Sequence, residues 1–254
     1  MSASRQFSSN PLFRLLYGLW AWTVMILFVL PAMAAVILTP GRHRRRALAC
    51  ASARGMFRLM GIRVKVTGLK HLPANCIVAA NHCSYFDGAV VAAALPSRFG
   101  FIIKREITKV PVVGWMLQRL GSEFVERFDT RGAHKDATRI VKRASEGSCL
   151  GVFPEGTFVA EPGLRSFQLG GFMAATRSAL PVVPVVIRGT RHLLPAHVWL
   201  PRHGHVEVEI LPAVHPAARS GDAARALRDT VRAQILARCR EPDHAHHHGP
   251  PKKT

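Results

Sequence analysis

The sequence predicts an α/β fold, a mixed and partly parallel sheet flanked by helices, with an apolar helical segment in front of it. Three observations predict it. Residues 15 to 38 carry no charged side chain. After Gly61, short apolar runs closed by Gly or Pro alternate with stretches of helical pattern, as in chains that lay strands beside one another through helical connections. The reactive side chains gather directly behind two of those apolar runs. The 254 residues, 48% hydrophobic, suffice for one sizeable domain plus an extra segment, and no internal repeat is present.

The first element runs from Leu15 to Leu38 and exceeds the ~20 residues that cross a ~30 Å hydrocarbon core. A secretory signal would have a shorter apolar region and a cleavage site followed by a polar mature start. Ala32, Ala34 and Ala35 imitate such a site, but Arg42, His43, Arg44, Arg45 and Arg46 follow, so the segment reads as a retained anchor. Arginine beyond an apolar span argues that this end stays cytoplasmic. It would lie among anionic headgroups, and Ala47 to Leu59 would form an amphipathic helix along the interface. Pro31 leaves two forms open, one spanning helix or a kinked hairpin in one leaflet.

Strands are then expected at Ile62–Val66, Cys76–Ala80, Phe99–Ile103, Gly121–Val125, Cys149–Phe153, Val182–Ile187 and Val206–Leu211. Helices are expected at Asp87–Leu95, Val113–Leu120, His134–Ser145, Gly171–Ser178 and Ala223–Arg238. The division is an anchor over 1–60, a catalytic domain over 61–240 and a disordered His-rich tail over 241–254. The tail histidines, His244 and 246–248, have nothing nearby to hold them rigid as metal ligands.

Net charge is +20, from 35 Lys+Arg against 15 Asp+Glu. Such an excess suits a polyanion, either nucleic acid or an anionic membrane surface. A soluble nucleic-acid binder has no use for the apolar run, so the membrane surface is the expected partner and nucleic acid is not. Five scattered cysteines without a Cys-x-x-Cys pair support neither a zinc site nor a disulfide framework.

Three strings carry chemistry. The first is Asn81-His82-Cys83-Ser84-Tyr85-Phe86-Asp87, directly after the Cys76–Ala80 run. Five residues along a regular helix rotate His82 and Asp87 by ~140°, so they meet only in a strand-to-helix turn. There Asp87 would accept from one imidazole nitrogen and leave the other as a base. The second, Gly121 to Arg127, is a strand ending in an Arg suited to a phosphate. The third is Phe153-Pro154-Glu155-Gly156-Thr157, a Pro–Gly turn at a strand end. Its Glu155 would bond a substrate hydroxyl or brace a neighbouring loop.

Together these strings resemble the glycerol-phosphate and lysophosphatidic-acid acyltransferases over roughly 61 to 212. Asn81-His82-x-Ser84-x-x-Asp87 is similar to that family's first motif, and Gly121-x-x-Phe124-x-x-Arg127 to its second. Phe153 to Thr157 is similar to the third, and Val183-Pro184-Val185 to the fourth. The resemblance implies His82 as catalytic base with Asp87 as partner, and Arg127, Glu155, Gly156 and Thr157 on the acceptor. Asn81, Ser84 and Lys104 complete the expected substrate-binding set. It implies acyl transfer from acyl-carrier protein or acyl-coenzyme A to a lysolipid hydroxyl, with no metal or bound cofactor. The acceptor would be 1-acyl-sn-glycerol-3-phosphate, giving phosphatidic acid, at the cytoplasmic face of a bacterial inner membrane. Phe158 and Gln168 stand where many relatives carry basic residues, which opens a second reading with another lysophospholipid or a lyso-ornithine-type lipid as acceptor. A membrane-anchored hydrolase with Cys83 or Ser84 as nucleophile is the rival from another class.

Overall fold

The computed structural model describes residues 10–110, 112–125, 142 and 149–245. Helix α1 spans Pro11–Leu38; it starts a turn before the uncharged run because Asn10 caps it, its side chain accepting from the N–H groups of Leu12 and Phe13. The helix continues through Pro31. Among the described residues it is the one helix long and apolar enough to cross a membrane. The chain reverses at Thr39 to Gly41, and α2 (Arg42–Leu59) packs back along α1. Gly55 permits the close approach, since a Cβ there would lie 2.5 Å from the Phe28 ring.

Among the described residues seven strands form one sheet: β1 (Arg63–Thr67), β2 (Ile77–Ala80), β3 (Phe99–Lys104), β4 (Glu123–Val125), β5 (Cys149–Val152), β7 (Val182–Arg188) and β8 (His205–Ile210). Their order is β1-β8-β7-β2-β5-β3-β4. Every neighbouring pair is parallel except β7 with β8. The expected mixed, partly parallel sheet is therefore present, with all but one of its pairings parallel. Side chains of β2 alternate between two cores: Val78 and Ala80 pack toward α1, α2 and α3 (Asp87–Ala94), while Ile77 and Ala79 pack toward α5 (Gly170–Arg177) and α7 (Gly221–Cys239). A strand covered on both faces reads as a continuous apolar run, which is why Ile77 to Ala80 lacks alternation in the sequence. Among the described residues the remaining α-helices are α4 (Val113–Arg119) and the short α6 (Thr190–Leu193). The helix expected over 134–145 lies outside the described residues.

Two expectations need correction. The first concerns the basic cluster at the start of α2. Arg42, His43 and Arg44 are exposed, but Arg45 and Arg46 turn inward. Arg46 donates to the carbonyls of Leu120 (2.7 Å), Arg98 (2.9 Å) and Gly121 (3.0 Å), and Arg45 to those of Thr39 and Arg119. The guanidinium fork satisfies carbonyls left open at the end of α4, which an exposed headgroup contact would not do. Replacing Arg46 with Met keeps the stem and orphans these carbonyls. It is expected to lower the thermal midpoint by roughly 5–10 °C. Arg44→Met should leave the midpoint unchanged, and a scan in detergent compares the two.

The second concerns the tail. Asp243–His244 forms β9, paired in parallel with β6 (Leu164–Arg165). Glu241 joins Arg191 at 2.8 Å and accepts from the Gly163 N–H, while Arg232 reaches Asp243 and the Leu164 carbonyl. Residues 241–245 are thus docked on the domain, and 246–254 lie outside the described residues.

Candidate active site

β2, β5, β3 and β7 run in the same direction, so the loops leaving their C-terminal ends share one edge of the sheet. The His82 loop leaves β2 there and the Glu155 turn leaves β5 beside it. His82 lies in the loop and Asp87 is the first residue of α3, which is the strand-to-helix turn that the pair requires. His82 Nδ1 is 2.8 Å from Asp87 Oδ2. A carboxylate only accepts, so Nδ1 carries the proton and Nε2 is the free basic edge. The same Oδ2 accepts from the N–H groups of Cys83 (2.6 Å) and Ser84 (2.8 Å), so Asp87, fully buried, shapes the loop as well as the ring. Its charge also sits at the N-terminal end of α3, where the helix dipole favours an anion.

Two aromatic rings pack against the imidazole. Phe153 stacks on it at a centroid distance of 4.4 Å, and Phe158 lies tilted at 4.5 Å with Tyr85 edge-on against it. Neither Phe158 nor Tyr85 belongs to the expected site; a Phe directly after the Pro-Glu-Gly-Thr string was the available signal.

Glu155 resolves to the bracing alternative. One carboxylate oxygen accepts from the His82 N–H (2.7 Å) and the other from the Arg165 N–H (2.9 Å), with 5% of the residue exposed. Gly156, at φ 77°, makes the turn that brings Glu155 under the His82 loop. Burial pushes the Glu155 carboxyl up to about 7, against the pull of the two backbone N–H groups and with the Asp87 charge adding to the rise. The folded value lies above the ordinary one, so folding favours the protonated form. Stability from this group therefore falls as pH rises from about 4.5 to 7, by up to about 3 kcal/mol, and is level above that window. Glu155→Gln should remove this slope from urea unfolding measured across that pH range. It also turns an NH2 group toward one of the two N–H donors, so kcat is expected to fall roughly 10- to 100-fold as the His82 loop loosens.

Asn81 and Ser84, expected to bind substrate, spend their polar atoms on the fold instead. Asn81 both donates to and accepts from the backbone of Ile187, at 2.9 and 2.7 Å, tying the ends of β2 and β7. Ser84, fully buried, donates to the Leu194 carbonyl and accepts from the Phe86 N–H. Gly156 and the exposed Thr157 stand in the turn after β5, and Lys104 ends β3 on the same sheet edge. Arg127 lies outside the described residues. Arg191 was not anticipated; it grips the carbonyls of Val159, Ala160 and Glu161 and so shapes the loop carrying Phe158. Among the described residues no group of three or more His, Cys, Asp or Glu side chains is placed to hold a metal ion.

An oriented His–Asp pair at the C-terminal edge of a mostly parallel sheet is an arrangement with which an enzyme can activate a hydroxyl. Residues 63–188 match the family model described as Acyltransferase, and the chain belongs to that family. It is 28% identical to the 1-acyl-sn-glycerol-3-phosphate acyltransferase of Pseudomonas aeruginosa, over 83% of this chain and 80% of that one. With the chloroplastic 1-acyl-sn-glycerol-3-phosphate acyltransferase LPAT1 of Arabidopsis thaliana it shares 29% identity over 68% of this chain, which spans 48% of the plant protein. The crystal structure of the 1-acyl-sn-glycerophosphate (LPA) acyltransferase from Thermotoga maritima superposes with a TM-score of 0.68 at 26% identity, covering 87% of this chain and 94% of that one.

Proposed function

We propose that the chain is an O-acyltransferase that moves a fatty acyl group from a thioester to the hydroxyl of 1-acyl-sn-glycerol-3-phosphate. The observation that carries this is the Asp87-oriented His82 at the sheet edge in a member of the acyltransferase family. In the proposed step, His82 Nε2 takes the hydroxyl proton as the oxygen attacks the thioester carbonyl. Asp87 stabilises the imidazolium, which returns the proton to the departing thiolate. Acyl-carrier protein or acyl-coenzyme A supplies the thioester, and no acyl-enzyme forms. The two nucleophiles expected for a hydrolase are turned away from that role: Ser84 donates to the Leu194 carbonyl, and Cys83 is buried beside Thr190, with burial pushing its thiol far above the usual range.

Membrane attachment belongs to the same proposal. One side of α1 rests on the protein along most of its length. Tyr17 donates to the Met60 carbonyl, Trp22 to that of Trp199, and Arg119 to those of Val36 and Ile37. Its other side exposes Leu12, Leu15, Leu16, Leu19, Ile26, Leu27 and Leu30. A helix so packed against a polar domain fits lying in the interface better than crossing the bilayer. The assay is purified protein with an acyl thioester and either 1-acyl-sn-glycerol-3-phosphate or a lysophospholipid, products read by mass spectrometry. Phosphatidic acid is the expected product, and acylation of only the other acceptor would sink this assignment.

A further inference from the structure

Beyond α1, the described residues expose a second group of large apolar side chains together: Val110 (44%), Val112 (49%), Val113 (41%) and Trp115 (42%). They follow β3 through the short 3-10 turn Arg105–Lys109, so the segment begins at the sheet edge where β3, like β2, ends. The segment is tightly built. The Gly114 N–H donates to the Val110 carbonyl, and a Cβ on Gly114 would lie 2.6 Å from the Thr108 backbone. Val112 is held at φ 66°, a left-handed conformation that strains a β-branched residue. Such strain, kept at an exposed apolar turn, points to a function outside the fold.

The patch is continuous with the exposed face of α1. The Trp115 ring lies 5.2 Å from the Arg119 guanidinium, and that guanidinium donates to the carbonyls of Val36 and Ile37. There Ile37 (45%) and Leu38 (81%) are themselves exposed. Lys109, also exposed, adds positive charge at the rim. A tryptophan among valines beside a basic rim has the chemistry of a headgroup-level contact with an anionic bilayer.

We infer that Val110, Val112, Val113 and Trp115 form a second bilayer-contacting element, which with α1 brings the His82 edge of the sheet to the lipid surface. The inference rests on the proposed membrane attachment of α1. It gives a lipid acceptor a path from the bilayer to His82 that avoids water.

The test uses the full chain with Trp20, Trp22 and Trp199 changed to Phe, leaving Trp115 as the fluorophore. It is mixed with vesicles of phosphatidylglycerol and phosphatidylcholine carrying brominated acyl chains. Quenching of Trp115 is expected. Co-sedimentation with the vesicles without quenching overturns the second contact while leaving the α1 reading intact; absence of co-sedimentation overturns both. In the otherwise native chain, Val113→Ser with Trp115→Ala should lower activity on a vesicle-held acceptor about tenfold and leave it unchanged on a short-chain acceptor dissolved as monomers. An equal loss on both acceptors would mean that the segment only supports the fold, or binds something other than lipid.

Discussion

His82→Ala is expected to lower the acyl-transfer rate by roughly 10³-fold or more at saturating substrates, with thioester binding little changed. General-base catalysis alone contributes about 10²–10⁴ in rate, and here it rests on one side chain. The fold should survive the change. Asp87 Oδ2 keeps the N–H groups of Cys83 and Ser84 after the imidazole is gone, so no buried carboxylate is stranded. The Glu155 bond is to the His82 backbone and also persists. The measurement is turnover with purified protein, together with circular dichroism and a thermal midpoint. Near-normal turnover in a folded His82→Ala protein would remove His82 from the mechanism.

Asp87→Asn is expected to cost nearly as much, about 10³-fold or more in kcat, by a different route. The amide oxygen can still accept from the Cys83 and Ser84 N–H groups, so the loop stays close to its shape. What is lost is the charge opposite the imidazolium. With the amide oxygen in the Oδ2 position, where Nδ1 and the Cys83 and Ser84 N–H groups converge, the ring keeps its orientation and loses only the stabilising charge. Asp87→Ala is the less informative change, because it leaves two buried N–H donors without an acceptor and threatens folding. Asp87→Asn should therefore retain its far-ultraviolet dichroism and its affinity for the acyl thioester while turnover collapses. A small effect on kcat would reduce Asp87 to a loop-shaping residue.

The two carboxylates differ in how openly the sequence announces them. Asp87 lies five residues from His82, and the strand-to-helix turn that unites them could be inferred from the apolar run before the pair and the small-residue helix after it. Glu155 lies 73 residues from His82, and its spacing says nothing about a partner. The two meet because β5 is the neighbour of β2 in the sheet, which sets the turn after one strand beside the loop after the other. Asn81 reads as a polar residue beside a catalytic His, but β7 flanks β2 on the other side and presents the Ile187 backbone to it. Phe158 was legible as a departure from the expected string, yet its place beside the imidazole depends on how Arg191 gathers the loop carbonyls. Arg46 shows the same limit within the anchor. It is one of several adjacent arginines in the sequence, and only the arrival of the carbonyls at the end of α4 beside it singles it out.

By itself the sequence determined the local elements: the apolar first helix, the short buried strands, the helices between them, and a His–Asp pair confined to a turn. These follow from side-chain periodicity and from turn chemistry, which act over a few residues. Only the tertiary structure decided which distant groups complete the site and which of the expected ones are spent on the fold. Those outcomes depend on strand order. A hydrogen bond joins whatever the sheet makes adjacent, and neighbours in this sheet lie up to 142 residues apart in the chain, as Arg63 and His205 do.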